Sequence, residues 1–149
     1  HKRIESFISD IKQQGFLVKV DTNGSHPQRL KTLVQNQLIN YVALDFKALP
    51  HNFYQLTQSD LFVKFQQSLD FLIQSKIQFE VRTTVHSNLL KPDDIKQMIR
   101  YLEIKNYTGS YFFFFFFNNC TTLGELPNDY CKVQTGDFIS SNFEIVVRS

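Results

Sequence analysis

Cysteine is nearly absent from this 149-residue sequence: Cys120 and Cys131 are the two it has. Two are too few for a four-cysteine metal site or a disulfide framework, and usage this sparse fits a reducing interior, so the cytoplasm is expected. An excess of one charge is missing as well. Sixteen Lys and Arg against fourteen Asp and Glu leave +2, and the basic residues are scattered singly, which speaks against a nucleic-acid partner. No apolar run approaches the roughly 18–20 residues that cross a bilayer, and the longest, residues 111–117, has the length of a strand, so no membrane is expected. There is no nucleophile–histidine–acid arrangement, no metalloprotease helix motif and no P-loop. Nor is there an initiator Met, a charged leader or an apolar leader segment. The chain enters at once into "RIESFISDIKQQG", and a piece of a longer protein is expected. What is present, 42% apolar and 20% charged residues, suits a soluble globular chain forming one domain over residues 1–149.

Helical and extended segments alternate. Ile4, Phe7, Ile8 and Ile11 share a face over residues 3–14, with Gly15 as the stop. "FLVKV", 16–20, reads as a short buried strand. Leu30, Leu33, Val34 and Leu38 predict a helix over 28–38, led in by His26-Pro27, and "NYVALDFK", 40–47, a second strand. Residues 60–75 carry Leu61, Phe62, Phe65, Leu69, Phe71 and Leu72 at helical spacing, with Ser59 or Asp60 placed to cap them. A strand over 77–85 follows. Pro92 then opens a helix with acids in its first turn and bases later, as the N1 preference of proline and the helix dipole favour. Strands over 111–119 and 142–148 complete the chain. No connection has hairpin length, so right-handed crossovers and a parallel α/β sheet are predicted. The apolar strands suggest a sheet covered on both faces, and the phenylalanine run 112–117 a buried strand whose alternate rings fill both.

In such sheets the residues just past the strand C-termini gather at one face. "FLVKVDTNGSHPQ" ends its apolar run on Asp21, Thr22 and Asn23, and "YVALDFK" ends on Asp45 and Lys47. "EVRTTVHSN" supplies Arg82, Thr84 and His86. Mixed charge at one rim suits a zwitterionic ligand, the bases facing a carboxylate and the acids an amine, hydroxyls or a cation. Gly24 lets the turn after Asp21 take a positive φ or approach a ligand closely. His86 reads as a structural or rim histidine.

"KVDTNGS", then "YVALDFKA", then "EVRTTVHSNLL" resembles the middle and C-terminal part of radical S-adenosylmethionine (SAM) activating enzymes. The likeness runs over most of residues 5–118. It is to the activating proteins of anaerobic ribonucleoside-triphosphate reductase, which are similar to pyruvate formate-lyase activating enzymes. It implies the C-terminal half of a partial (β/α)6 TIM-like barrel with parallel strands. It implies SAM bound to a 4Fe–4S cluster and cleaved to a 5′-deoxyadenosyl radical, which takes a hydrogen from a glycyl radical enzyme as protein partner. A flavodoxin- or ferredoxin-type electron donor goes with this chemistry. Carried over by position, Asn23, Asp45, Lys47, Arg82 and Thr84 are implied SAM contacts, and Asp21, Thr22 and Asp45 an implied site for a monovalent cation. Asp21 and Gly24 would shape one wall of the pocket.

The family's CxxxCxxC cluster motif and its GGE segment do not occur in this sequence, and Cys120 and Cys131 lack the number and spacing to replace them. A polar residue the family carries near the end of its penultimate strand is replaced by the Phe112–Phe117 run. The expected chain therefore begins after the second barrel strand, contributes no iron ligand and is inactive by itself. Two other functions are compatible with the residues: a SAM enzyme acting on a small molecule or RNA, and a non-catalytic α/β binding or scaffold domain.

Overall fold

The structure, a computed structural model, describes residues 3–115, 127–129, 136 and 138–148. The described elements run α1 (Ile4–Gln13), β1 (Lys19–Thr22), α2 (Pro27–Gln35), β2 (Tyr41–Asp45), α3 (Pro50–Thr57), α4 (Phe62–Gln74), β3 (Gln78–Val85), α5 (Pro92–Ile104), β4 (Ser110–Phe115) and β5 (Glu144–Arg148). All five strands are parallel and lie in chain order, β1-β2-β3-β4-β5. The fold is α/β, and its sheet is wound in one direction as in a partial TIM-like barrel. With each strand beside its predecessor, right-handed crossovers carry the helices to the same face.

That face is the core. Leu30, Leu33, Phe53, Phe62, Phe65, Leu69, Leu72, Met98 and Leu102 from the helices pack on Val42, Leu44, Val81, Val85, Tyr111 and Phe113. The opposite face differs from expectation. Successive strand residues point to opposite sides, and the other set contains Lys19 and Asp21 on β1, Tyr41, Ala43 and Asp45 on β2, and Glu80, Arg82 and Thr84 on β3. The sheet is thus covered by helices on one face and lined by polar groups on the other. Only β4 is apolar on both: Phe113 is fully buried among core residues, and Phe112 and Phe114 point to the polar side. The alternation expected for the phenylalanine run holds over Phe112–Phe114, and 116–119 lie outside the described residues, as do Cys120 and Cys131.

Some elements differ from expectation as well. β1 starts at Lys19, opposite Tyr41, while Phe16 and Leu17 are 59% and 81% exposed. Among the described residues it pairs with β2 alone, and its side chains alternate between exposed and half-buried. α3, which has a single buried residue, Phe53, is an element the apolar pattern does not predict. α4 has Leu61 at its N-cap, and neither Ser59 nor Asp60 caps it; the Ser59 carbonyl and hydroxyl instead pair with Thr57 Oγ1. Pro27 and Pro92 open their helices as predicted, and Asp94 accepts a hydrogen bond from the Lys91 backbone at 2.9 Å. No described helix is long and apolar enough to cross a membrane.

Candidate functional site

The site begins with the way "LDFK" leaves the sheet. Phe46 continues the pairing past β2: its N–H donates to the Arg82 carbonyl at 2.8 Å, and its own carbonyl accepts from Thr83 Oγ1 at 2.7 Å. Its ring is fully buried, stacked on Phe65 at 4.8 Å between centroids. With Phe46 fixed in the core, the alternation turns Asp45 and Lys47 to the polar face together. Their side chains meet there, Lys47 Nζ standing 3.2 Å from Asp45 Oδ2.

Arg82 is the centre of the face. It stands opposite Asp45 in the register, and its Nε and Nη2 donate to Asp45 Oδ1 at 3.0 and 2.9 Å. Its Nη1 reaches over β2 to Asp21 Oδ2 at 2.8 Å. Ala43 is the β2 residue between Asp21 and Glu80, and its small side chain leaves room for this crossing. Burial opposes the charge on Arg82, but hydrogen bonds and charge from Asp21 and Asp45 outweigh it and hold its pKa above the ordinary value. The guanidinium lies 6.0 Å from the Phe114 ring.

The remaining residues are placed as follows. Thr84 is exposed on the same face, opposite Phe114. Asn23 is exposed in the turn after β1, its Oδ1 accepting from the Ser25 N–H at 3.1 Å. The Thr22 side chain is turned the other way from Asp21, and its Oγ1 accepts from the Gly24 N–H at 3.1 Å. Asp21 and Asp45 therefore come together, with Arg82 between them, and the Thr22 side chain does not join them. Gly24 has the expected positive φ, +73°, but its close approach is to α4. A Cβ there would lie 3.1 Å from Phe65 Cα, and the Gly24 carbonyl accepts from Ser68 Oγ at 2.8 Å. Its neighbours are those of helix packing. His86 is buried and partnered at both ring nitrogens, by the Pro127 carbonyl at 2.9 Å and the Asn88 N–H at 3.2 Å. Its Nδ1 also stands 3.8 Å from Oδ2 of Asp129.

Four residues of this face are not singled out by the strand-end argument. Glu80 is buried, its carboxylate accepting from Lys19 Nζ at 3.2 Å and from the Tyr41 hydroxyl at 3.0 Å. Burial first, then the hydrogen bond and charge of Glu80, push Tyr41 up to about 12. Arg148, on β5, lies 3.9 Å from the centre of the Phe112 ring. The signal for Lys19 and Glu80 is in the sequence: "KVD" and "EVR" each place two charges on one side of a strand.

Asp21 and Lys47, exposed, and Asp45, half-buried, stand at one rim around a fixed Arg82, and acids and bases so placed suit the amino and carboxylate groups of a zwitterion such as the methionyl part of SAM. The donor set fits that ligand. It does not fit an iron–sulfur cluster: among the described residues no group of three or more His, Cys, Asp or Glu side chains is placed to hold a metal ion.

No protein-family model matches the chain. Over 94 residues it is 30% identical to a protein of Methanocaldococcus jannaschii named as a glycyl-radical enzyme activating enzyme. The match takes in 60% of this chain and 39% of that relative's length.

Proposed function

We propose that this chain is the SAM-binding part of a radical SAM activating enzyme. It forms one partial barrel, and the full-length enzyme acts on a glycyl radical enzyme of the anaerobic ribonucleotide reductase type. The observation that carries the reading is the Arg82 clamp: one guanidinium, three residues before the end of β3, held by Asp21 and Asp45 at the C-terminal ends of β1 and β2, with Lys47 beside it. The similarity to a protein named as an activating enzyme supports it.

On this reading Lys47, Arg82 and Thr84 hold the carboxylate and neighbouring polar atoms of SAM, and Asp45 and Asn23 face its amino group and ribose. Asp21 fixes Arg82, and with Asp45 and the backbone of Thr22 it offers oxygens to a monovalent cation beside the ligand. When bound, SAM at a reduced 4Fe–4S cluster supplies a 5′-deoxyadenosyl radical for hydrogen abstraction; ligands for the cluster would come from outside this chain. The electron would come from a flavodoxin- or ferredoxin-type donor, and the cytoplasm is the compartment proposed.

The test is anaerobic reconstitution of the full-length protein. The expected result is 4Fe–4S absorption and 5′-deoxyadenosine on addition of dithionite and SAM. A full-length protein that takes up no cluster would overturn the reading in favour of a non-catalytic binding domain. Turnover of a small molecule or RNA, with no complex formed with a glycyl radical enzyme, would overturn the partner.

A further inference from the structure

Glu80 lies in the middle of β3, only 4% exposed, on the polar face but deeper than the rim. A buried carboxylate costs several kcal/mol unless it is paired, and neighbours such as Ala43 and Phe112 show that this face accepts apolar side chains. Its two oxygens have separate partners: Oε1 takes Lys19 Nζ at 3.2 Å, and Oε2 takes the Tyr41 hydroxyl at 3.0 Å. Lys19 Nζ also stands 3.8 Å from Asp21 Oδ1, whose other oxygen faces Arg82 at 2.8 Å. Arg82 meets Asp45, and Asp45 meets Lys47. From the buried acid to the rim the charges alternate without a break.

We propose that Glu80 and Lys19 are positioning residues that act through Asp21 to hold Arg82 in its ligand-binding orientation. The inference rests on the reading of this face as a SAM site. The Asp21 side chain is 56% exposed, and by itself such a carboxylate exchanges among rotamers. Lys19 is anchored at its tip by a carboxylate that is buried and also held by Tyr41, and it draws Oδ1 of Asp21 toward itself, leaving Oδ2 to Arg82. The guanidinium is then ordered before ligand arrives, and binding need not pay for its immobilisation. Tyr41 binds the other oxygen of Glu80 and stands outside the line that reaches Asp21.

That difference supplies the control. In the full-length protein, Lys19→Met and Tyr41→Phe each remove one partner of Glu80, but only Lys19→Met cuts the line to Asp21. Two quantities are measured: SAM affinity by calorimetry, and hydrogen exchange of the Arg82 Nε–H by nitrogen-15 NMR without ligand. Lys19→Met is expected to weaken affinity roughly three- to tenfold and to speed exchange, with Tyr41→Phe within about twofold of wild type in both. Lys19→Arg should restore both. Equal effects of Lys19→Met and Tyr41→Phe, or no effect of Lys19→Met, would overturn the proposal and leave Glu80 a structural acid. If Arg82→Ala binds SAM as well as wild type, or wild type binds none, the functional reading fails and the role toward ligand falls with it. The ligand-free exchange rates then report separately whether Lys19 orders Arg82.

Discussion

Arg82 Nη1 stands 2.8 Å from Asp21 Oδ2 although β2 runs between their strands. The register makes this contact available: Asp45 is opposite Arg82, Asp21 is opposite Ala43, and Ala43 is too small to separate them. One guanidinium from within β3 therefore ties together β1, β2 and β3. Hydrogen bonds between ionised groups are stronger than neutral ones, and this pair of contacts fixes the side chain on which the rim is built.

Asp21→Asn and Lys47→Ala are expected to weaken SAM binding to the full-length protein by roughly tenfold each, since each removes a charge-assisted contact of the site. Unfolding free energy should change by less than about 1 kcal/mol, because both side chains are largely solvated and exposed pairs contribute little. Calorimetry and urea unfolding measure the two quantities. Variants that bind and cleave SAM like wild type would remove these residues from the site.

Gly24→Ala tests the turn that follows Asp21. The position has φ +73°, and the added Cβ would meet Phe65 Cα and Leu44 Cδ1 at 3.1 Å, one of them backbone-fixed. A loss of about 1–3 kcal/mol is expected from the left-handed conformation and crowding together. A melting temperature equal to wild type would show that α4 shifts freely.

Tyr41 makes the protein sensitive to base. Its pKa is about 12 in the folded chain against 10.0 unfolded, through burial first and then Glu80, and burial with the charge of Asp70 brings Tyr101 to about 12 as well. A raised folded pKa means that the unfolded chain loses its proton first. The stability is fully present below pH 10 and is lost as pH rises from 10 through about 12. Urea unfolding across that window should show the fall, and Tyr41→Phe should make it shallower. An unchanged slope would mean that Tyr41 titrates as it does in water.

Tyr107→Phe tests how β3 and β4 are joined at their N-terminal side. The hydroxyl accepts from the Val81 N–H at 3.1 Å and donates to the Ser110 carbonyl at 2.7 Å. Its removal leaves a buried donor unpaired, which costs about 1–3 kcal/mol. Hydrogen exchange at the Val81 amide should rise selectively, and protection equal to wild type would show another acceptor.

The alternation of helices and strands is legible because α1, α2, α4 and α5 repeat their apolar residues at helical spacing and Pro27 and Pro92 mark two starts. α3 is not, because "PHNFYQLT" has one buried residue and no stripe to detect. Phe16 and Leu17 extend the apparent first strand because local apolarity does not show where a hydrogen-bond partner begins; pairing with Tyr41 starts at Lys19. In the candidate site, reading toward the strand C-termini marks Asp21, Asp45, Lys47 and Arg82, whereas Lys19 at the start of β1 and Glu80 early in β3 lie further back, where a charge draws notice only when the two sides are read separately.

The sequence by itself determines a parallel α/β chain with acids and bases at the C-terminal ends of its strands, since apolar spacing and turn residues act locally. Tertiary structure alone decides that Asp21 meets Arg82 while Thr22 turns to the helices, and that Glu80 lies buried beneath Lys19. The pleat assigns each residue to a side of its own strand. Which residue of the next strand stands opposite is set by register, which the packing of the whole sheet against its helices fixes.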